Sequence, residues 1–424
     1  MIDATYTDFS AVVHRSANAR RVPVNGTIEI TNRCPLNCSH CYNNLPMHDA
    51  DARRRELTTE EHFRLLDELA DLGCLWLLYS GGEIFARRDF LEIYTYAKQK
   101  GFLLTLFTNG TLITEEVADY LAEWPPFAIE ITLYGATRET YEELTRIPGS
   151  YDRCLRGIRL LLERNLPLSL KTVAVSVNRH EVEAMRQMAA DFGVEFKFDS
   201  MINPRIDCGS SPLAVRLTPA EVVGLDLEDP ERVSEWRRLA LDVAHIVPPA
   251  GEVAQLYDCG GGVNSWAIDP YGDLSICVLS HVDRYNVVRD GSFAEGWDTY
   301  LSNVRNRRVS RPTKCTSCGL KSMCGMCPAN GELENGDAEQ PVEFLCEVAH
   351  LRAETFGVPI RAHGDCEYCE GGLAHERVLD AAAALRSGEA DRIAAIPLAP
   401  ARAAAAGGCG TGSCGSCSIA GATR

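Results

Sequence analysis

Nowhere does this chain assemble the run of roughly 18 apolar residues that a membrane-spanning helix needs. Its N-terminus also lacks the apolar core of a signal peptide. Positive charge is scarce: 42 Lys and Arg stand against 59 Asp and Glu, a net charge of −17. That balance argues against a nucleic-acid surface, which needs the opposite sign. These absences predict a cytoplasmic protein that engages neither membrane nor nucleic acid. Cysteine, by contrast, is abundant, with 18 in 424 residues. Disulfide-rich secreted proteins are usually short, and many of these cysteines fall into C-x2-C units. The pattern therefore predicts metal ligation in a reducing compartment. The length supports two or three domains, and a hydrophobic content of 46% supports large cores.

Three cysteines near the start carry the most chemistry. Cys34, Cys38 and Cys41 lie in TNRCPLNCSHCYNN, spaced C-x3-C-x2-C. Three thiolates hold three irons of a 4Fe–4S cube and leave the fourth iron open to bind a small molecule. His40 lies among them, so a zinc site of three thiolates and one imidazole stays open on these residues alone. The preceding Gly26–Thr31 segment alternates and is β-branched, which predicts a strand that delivers the cysteines at its C-terminal end. An apolar run over 74–80 reads as a buried parallel strand and ends in Gly81-Gly82-Glu83. Glycines there allow close backbone approach, and a carboxylate suits a cationic amine. Further strands are expected over 102–107, 128–133, 168–176 and 194–198. Helices are expected over 59–72, 88–100, 114–123, 151–164 and 180–192. Six strands with intervening helices predict an α/β fold with a parallel sheet and right-handed crossovers.

This order of motifs resembles the radical S-adenosylmethionine (SAM) enzymes. The resemblance implies a partial (β/α)6 barrel over 25–200. It also implies a cluster on Cys34, Cys38 and Cys41 whose open iron chelates the amino and carboxylate groups of SAM. Reductive cleavage of SAM then yields a 5′-deoxyadenosyl radical. By the same resemblance Tyr42 packs near the adenine, and Gly81, Gly82 and Glu83 bind the SAM ammonium. Thr108, Asn109, Glu130, Thr132 and Asn178 stand near strand ends, where the rest of SAM would lie. Ile84 replaces the proline common after the Glu. Lys171 is left as either a pocket residue or a solvated strand residue.

A second cysteine system runs C-x12-G-x4-C, then C-x2-C-x5-C-x2-C, then a last Cys: Cys259, Gly272, Cys277, Cys315, Cys318, Cys324, Cys327 and Cys346. It resembles the SPASM domain, which carries two auxiliary Fe–S clusters in many peptide-modifying radical SAM enzymes. The resemblance implies an outer cluster on Cys315, Cys318, Cys324 and Cys346, and an inner one on Cys259, Cys277 and Cys327. The inner set is one thiolate short, with Asp258 or Cys208 as candidates for the open place. Residues 265–277 read as a hairpin turning at Asp269-Pro270-Tyr271-Gly272, which returns Cys277 toward Cys259.

The expected organisation is an N-terminal extension (1–24), the barrel (25–200), a bridge (201–258) and a small SPASM domain (259–350). A helical extension (351–406) and a flexible Gly/Cys-rich tail (407–424) follow. The bridge should hold a helix capped by Thr218 and Glu221, and another over 229–244. Beyond residue 347 lies a further C-x2-C, Cys366 and Cys369, with no assigned role, and Cys409, Cys414 and Cys417 lie in the tail.

The expected function is oxidative modification of a peptide or protein, by a maturase of the pyrroloquinoline-quinone, mycofactocin or thioether-forming type. The implied reductant is a flavodoxin or ferredoxin; with only about 25 residues before the first strand, either a separate protein recognises a leader or the substrate is not leader-guided. Three alternatives stand beside it. A sulfatase-maturating enzyme would carry an acid where Val278 stands. A tetrapyrrole-side-chain enzyme would need cationic groups. A non-catalytic Fe–S carrier would leave Gly81-Gly82-Glu83 unexplained.

Overall fold

The computed structural model describes residues 5–241, 254–280 and 283–388. They form two compact units. One contains the chain up to Val215 together with Cys259–Arg305, and the other contains Arg216–Asp258 and the chain from Asn306 onward. The expected division differs, because it assigned 259–350 to a single domain. The stretch 259–305 instead belongs with the barrel, since its hairpin joins the barrel sheet.

The first unit is built on six strands in sequence order: β1 (Asn25–Thr31), β2 (Trp76–Gly81), β3 (Leu103–Thr108), β4 (Ala128–Thr132), β5 (Leu168–Val173) and β6 (Phe196–Asp199). Each pairs in parallel with the next. Besides a short helix over Ala50–Arg55, the helices between them are α2 (Thr59–Asp71), α3 (Phe90–Gln99), α4 (Glu115–Glu123), α5 (Arg138–Thr145), α6 (Ser150–Leu162) and α7 (Val182–Asp191), after an N-terminal α1 (Tyr6–Arg20). Helix α2 starts at Thr58, whose hydroxyl accepts from the Glu61 N–H while Glu61 reciprocates. Its Leu65, Leu66 and Leu69 are buried, each contributing about 1.5–3 kcal/mol. Helices α1 and α5 were not anticipated.

Beyond β1 the sheet continues through β7 (Ser265–Ile268), β8 (Asp273–Ser275) and β9 (Tyr285–Asn286), giving the order β9-β8-β7-β1-β2-β3-β4-β5-β6. Strand β7 runs parallel to β1, and β8 returns antiparallel through a turn at Gly272, whose φ is +89°. The hairpin is the one expected. Its place beside β1 is held by Trp266, which is buried and donates from Nε1 to the Pro23 carbonyl at 3.2 Å. The indole lies across Gly26, where a Cβ would stand 2.0 Å from the ring.

In the second unit, α8 (Pro219–Leu227) begins with the expected Thr218–Glu221 capping box, and α9 (Pro230–Leu241) follows. Then come α10 (Pro328–Asn335), α11 (Glu343–Phe356) and α12 (His375–Ser387). Helix α11 packs on α8 and α12. Asp226, fully buried on α8, binds Arg232 at 2.7 Å and Arg352 at 2.8 Å, so its charge is paired on both sides. The end of the expected 229–244 helix, the expected tail, and Cys409, Cys414 and Cys417 lie outside the described residues.

Candidate functional site

The C-terminal ends of β1 and β2 converge on the cysteine loop. Gly81 has φ +126°, and a Cβ there would sit 2.2 Å from the Thr31 carbonyl oxygen. At Gly82 it would sit 2.5 Å from the Asn32 carbonyl. The two glycines therefore let the strand end lie directly on the segment that leads into Cys34. Gly82 N–H donates to Thr31 O at 2.7 Å, and Glu83 N–H donates to Arg33 O at 3.1 Å. Arg33 is clamped in turn by Glu56 through Nε at 2.8 Å and Nη2 at 2.9 Å.

Glu83 is buried. Its Oε1 accepts from Thr108 Oγ1 at 2.7 Å and from the Phe85 N–H at 3.3 Å, and its Oε2 accepts from the Asn109 N–H at 2.8 Å. Burial pushes its carboxyl up to about 7 against the pull of those donors. Asn109 extends the network: its Nδ2 donates to Cys34 Sγ at 3.4 Å, and its Oδ1 accepts from the Thr111 hydroxyl at 2.6 Å. Cys34, Glu83, Thr108 and Asn109 thus form one connected set at the ends of β1, β2 and β3.

Cys34, Cys38 and Cys41 lie together. Burial pushes each thiol above its ordinary range, and at Cys38 the charges of Cys41 and Cys34 raise it further. Three thiolates buried together would need a cation to offset their charge. His40 is buried beside Tyr134 at 5.5 Å, and burial pushes its imidazole down to about 4.

The remaining expected contacts divide. Tyr42 donates from its hydroxyl to Glu29 Oε1 at 2.9 Å, and Asn43 Nδ2 donates to the same oxygen at 2.8 Å. Glu29 is a buried acid inside β1 that the strand's alternation concealed. Burial, together with the charge of Asp269, pushes it up to about 8. Along β3, β4 and β5 one face is fully buried while the other stays half-exposed. Phe107, Glu130, Thr132 and Lys171 are neighbours on the half-exposed face. Lys171 pairs with Glu130 at 3.1 Å and lies over the Phe107 ring, so it is not a freely solvated strand residue. Asn178 is fully buried. Its Oδ1 accepts from the Val175 N–H at 2.8 Å, and its Nδ2 donates to Val173 O at 3.0 Å and Tyr134 O at 3.1 Å. Its amide is used on the backbone that shapes the β5 loop.

In the hairpin, Gly261 sits between the two halves of the inner set. A Cβ there would lie 2.7 Å from Ile276 O and 3.3 Å from Cys259 Sγ. The hairpin thus brings Ile276, the residue before Cys277, back beside the Cys259 loop. Cys277 Sγ accepts from the Leu279 N–H at 3.4 Å. Cys327 belongs to the second unit, at the start of α10. Asp258 is exposed. The loop of Cys208 is tied instead to the residues after Cys41, through Ile206 N–H to Tyr42 O at 2.9 Å and Arg205 to Asn44 at 3.1 Å.

The outer set gathers within the second unit. Cys315 and Cys346 share a hydrogen bond, which together with Lys314 favours the thiolate at Cys315. Burial pushes Cys324 up to about 12, and the charges of Cys315 and Cys318 add to it. All fifteen cysteines among the described residues are free thiols, as ligands require.

Known proteins share this plan. Residues 28–189 match the model of the radical SAM superfamily. The PqqA peptide cyclase of Granulibacter bethesdensis is 32% identical over 363 residues, spanning 81% of this chain and 92% of that protein. The chain belongs to the radical SAM superfamily, among its SPASM-type maturases. The mycofactocin maturase MftC of Mycobacterium tuberculosis is 28% identical over 316 residues, covering 72% of this chain and 78% of its own. The AdoMet-dependent heme synthase of Methanosarcina barkeri is 25% identical over 339 residues, covering 73% and 92%. Among solved structures, Streptococcus suis SuiB bound to its precursor peptide SuiA has the same fold. It aligns with a TM-score of 0.60 and 17% identity over 82% of each chain. This radical SAM protein is therefore an enzyme, and its cofactors are SAM, a SAM-cleaving 4Fe–4S cluster and auxiliary clusters. No described helix is long and apolar enough to cross a membrane.

Proposed function

We propose that this radical SAM enzyme modifies a peptide, and that Cys34, Cys38 and Cys41 hold the cluster at which SAM is cleaved. The network joining Cys34 to Asn109, Thr108 and Glu83 carries this reading, because it fixes the cysteine loop and the carboxylate in one frame. When bound, the cluster supplies the electron that opens SAM, and its free iron supplies the anchor for the amino acid end. In this reading Gly81, Gly82 and Glu83 form the wall that receives the SAM ammonium. Glu83 keeps acceptor capacity beyond the three donors it already holds. Tyr42, fixed by Glu29, lies on the adenine side. The half-exposed face bearing Phe107, Glu130, Thr132 and Lys171 takes the rest of SAM and the substrate.

The outer auxiliary cluster is assigned to Cys315, Cys318, Cys324 and Cys346. On the spacing of the motif, Cys259, Cys277 and Cys327 hold the inner one. An inner cluster with three protein thiolates would accept a substrate thiolate, because such clusters favour soft sulfur donors. A cysteine-containing peptide and thioether formation are therefore the first pair to test, with C–C crosslinking second. A flavodoxin or ferredoxin as reductant, a separate leader-binding protein and a cytoplasmic setting complete the proposal.

The test is anaerobic incubation of the cluster-loaded enzyme with SAM, reductant and candidate peptides, followed by mass spectrometry. A peptide lighter by two hydrogens, formed together with 5′-deoxyadenosine, supports the reading. The similarity to a heme synthase supplies the contrary arm. Turnover of a propionate-bearing tetrapyrrole, with every peptide returned unchanged, would overturn it.

A further inference from the structure

Helix α11 carries Cys346 of the outer set and, one turn later on the same side, His350. The chain then leaves the helix and turns back, so that His363, Cys366 and Cys369 meet His350. All four side chains are buried, and their ligand atoms lie within 4.8 Å of one another. His350 Nε2 stands 3.4 Å from Cys366 Sγ and 3.7 Å from Cys369 Sγ, and His363 Nδ1 stands 3.5 Å from Cys369 Sγ. None of these residues belongs to the SAM-cluster triplet or to the seven cysteines of the SPASM pattern.

We propose that His350, His363, Cys366 and Cys369 form a structural zinc site, separate from the iron–sulfur clusters. The separations decide between a single ion and a cluster. A tetrahedral zinc with Zn–S near 2.3 Å and Zn–N near 2.0–2.1 Å sets its donors about 3.3–3.8 Å apart. Three of the contacts fall in that range, and all four ligand atoms stay within 4.8 Å of one another. A cluster would seat the donors on different irons and hold them further apart. Two thiolates with two imidazoles is also a donor set suited to zinc.

The surroundings are built for the same purpose. His350 Nδ1 lies 2.7 Å from the Cys346 carbonyl oxygen. Donation there fixes the tautomer and leaves the Nε2 lone pair facing both sulfurs. His363 Nδ1 lies 2.9 Å from Arg361 O, a contact that a zinc on Nδ1 would replace and a zinc on Nε2 would leave in place. The thiols sit on a tight knuckle. Cys369 N–H donates to Cys366 O at 3.3 Å, and Gly372 N–H donates to Cys369 O at 2.8 Å. A Cβ at Gly372 would stand 2.4 Å from Glu367 O, so the turn excludes a side chain there. Four buried polar groups that face one another are costly to leave without a cation. His350 lies one turn after Cys346 and meets its carbonyl, so the site abuts the outer cluster set. The ion would clamp the segment after α11 against that helix and brace the wall behind Cys318 and Cys346.

Metal analysis of the anaerobically purified full-length enzyme tests this. The wild type should carry about one zinc per chain beside its iron. The Cys366→Ser/Cys369→Ser variant should lose the zinc and keep the iron. A wild type without zinc, or a variant that loses a cluster's worth of iron with its zinc intact, overturns the proposal. If the variant does not fold, zinc-edge X-ray absorption of the wild type decides. Two sulfur and two nitrogen neighbours are expected, and an all-sulfur shell contradicts the site.

Discussion

The carboxylate of Glu83 is held by Thr108 Oγ1 and by two backbone N–H groups while fully buried, so the protein orients it before any ligand arrives. Glu83→Ala leaves those donors facing a cavity, at a cost of about 1–3 kcal/mol. In the proposed site it also removes the carboxylate that would receive the SAM ammonium. The variant should melt at lower temperature and bind SAM at least tenfold more weakly, with its cluster spectrum unchanged. Calorimetric titration with SAM checks this, and undiminished affinity would remove Glu83 from the site. Glu29 sets a pH dependence. Burial raises its carboxyl from 4.5 to about 8, so the folded state holds a proton that the unfolded chain has released. Its contribution to stability is full below about pH 4.5 and is lost as pH rises toward 8. In Glu29→Gln the amide oxygen still accepts from Tyr42 and Asn43, and no charge develops. The melting temperature of the variant should therefore gain on the wild type between pH 5 and 8, and parallel curves would contradict the assignment. At this scale the coming together of Cys34, Glu83, Thr108 and Asn109 was legible, because motif residues at the ends of neighbouring parallel strands share one edge of the sheet. Glu29 was not, because its position in an alternating strand gives no sign that both faces of β1 are covered. Asn178 shows that a polar residue after a strand end also serves the loop itself, since its amide bonds the loop backbone.

Among the elements, the junction of β1 and β2 carries the most consequence. Gly82→Ala would drive a Cβ into the Asn32 carbonyl and part the two strand ends. Cluster loading at the triplet should fall although no ligand has changed, and iron content with the cluster absorbance measures it. Normal loading would show that the cysteine loop does not depend on this contact. All six parallel strands and five of the helices between them follow from local patterning, since period-two and helical periodicities are properties of short segments. The helix over Arg138–Thr145 escaped notice because it is short and mostly polar. The hairpin over β7 and β8 was legible as a hairpin. Its sheet was not, because pairing with β1 joins segments some 240 residues apart, and neither segment's pattern names its partner. His350 and His363 were missed in the same way. A histidine on a helix looks like an ordinary core residue until the chain returns with the C-x2-C at 366–369.

At the scale of the whole molecule, the chain sorts its 18 cysteines by position. Cys34, Cys38, Cys41, Cys259 and Cys277 lie in the barrel unit, and Cys315, Cys318, Cys324, Cys327 and Cys346 lie in the other. The spacing that identified these sets was plain in the sequence. The boundary between the units was not, because it follows sheet pairing and not motif order. Removing the outer cluster should separate SAM cleavage from product formation. Cys346→Ala should still form 5′-deoxyadenosine but release far less modified peptide, and full product yield would exclude an obligatory role for that cluster. The most direct test of the account is 5′-deoxyadenosine formation by the anaerobic enzyme and by its Cys34→Ala/Cys38→Ala/Cys41→Ala variant, each supplied with SAM and a strong reductant. The account predicts 5′-deoxyadenosine from the wild type and none from the variant, which should retain about two-thirds of the iron, the share of two clusters in three. Continued SAM cleavage by the variant would contradict the central assignment.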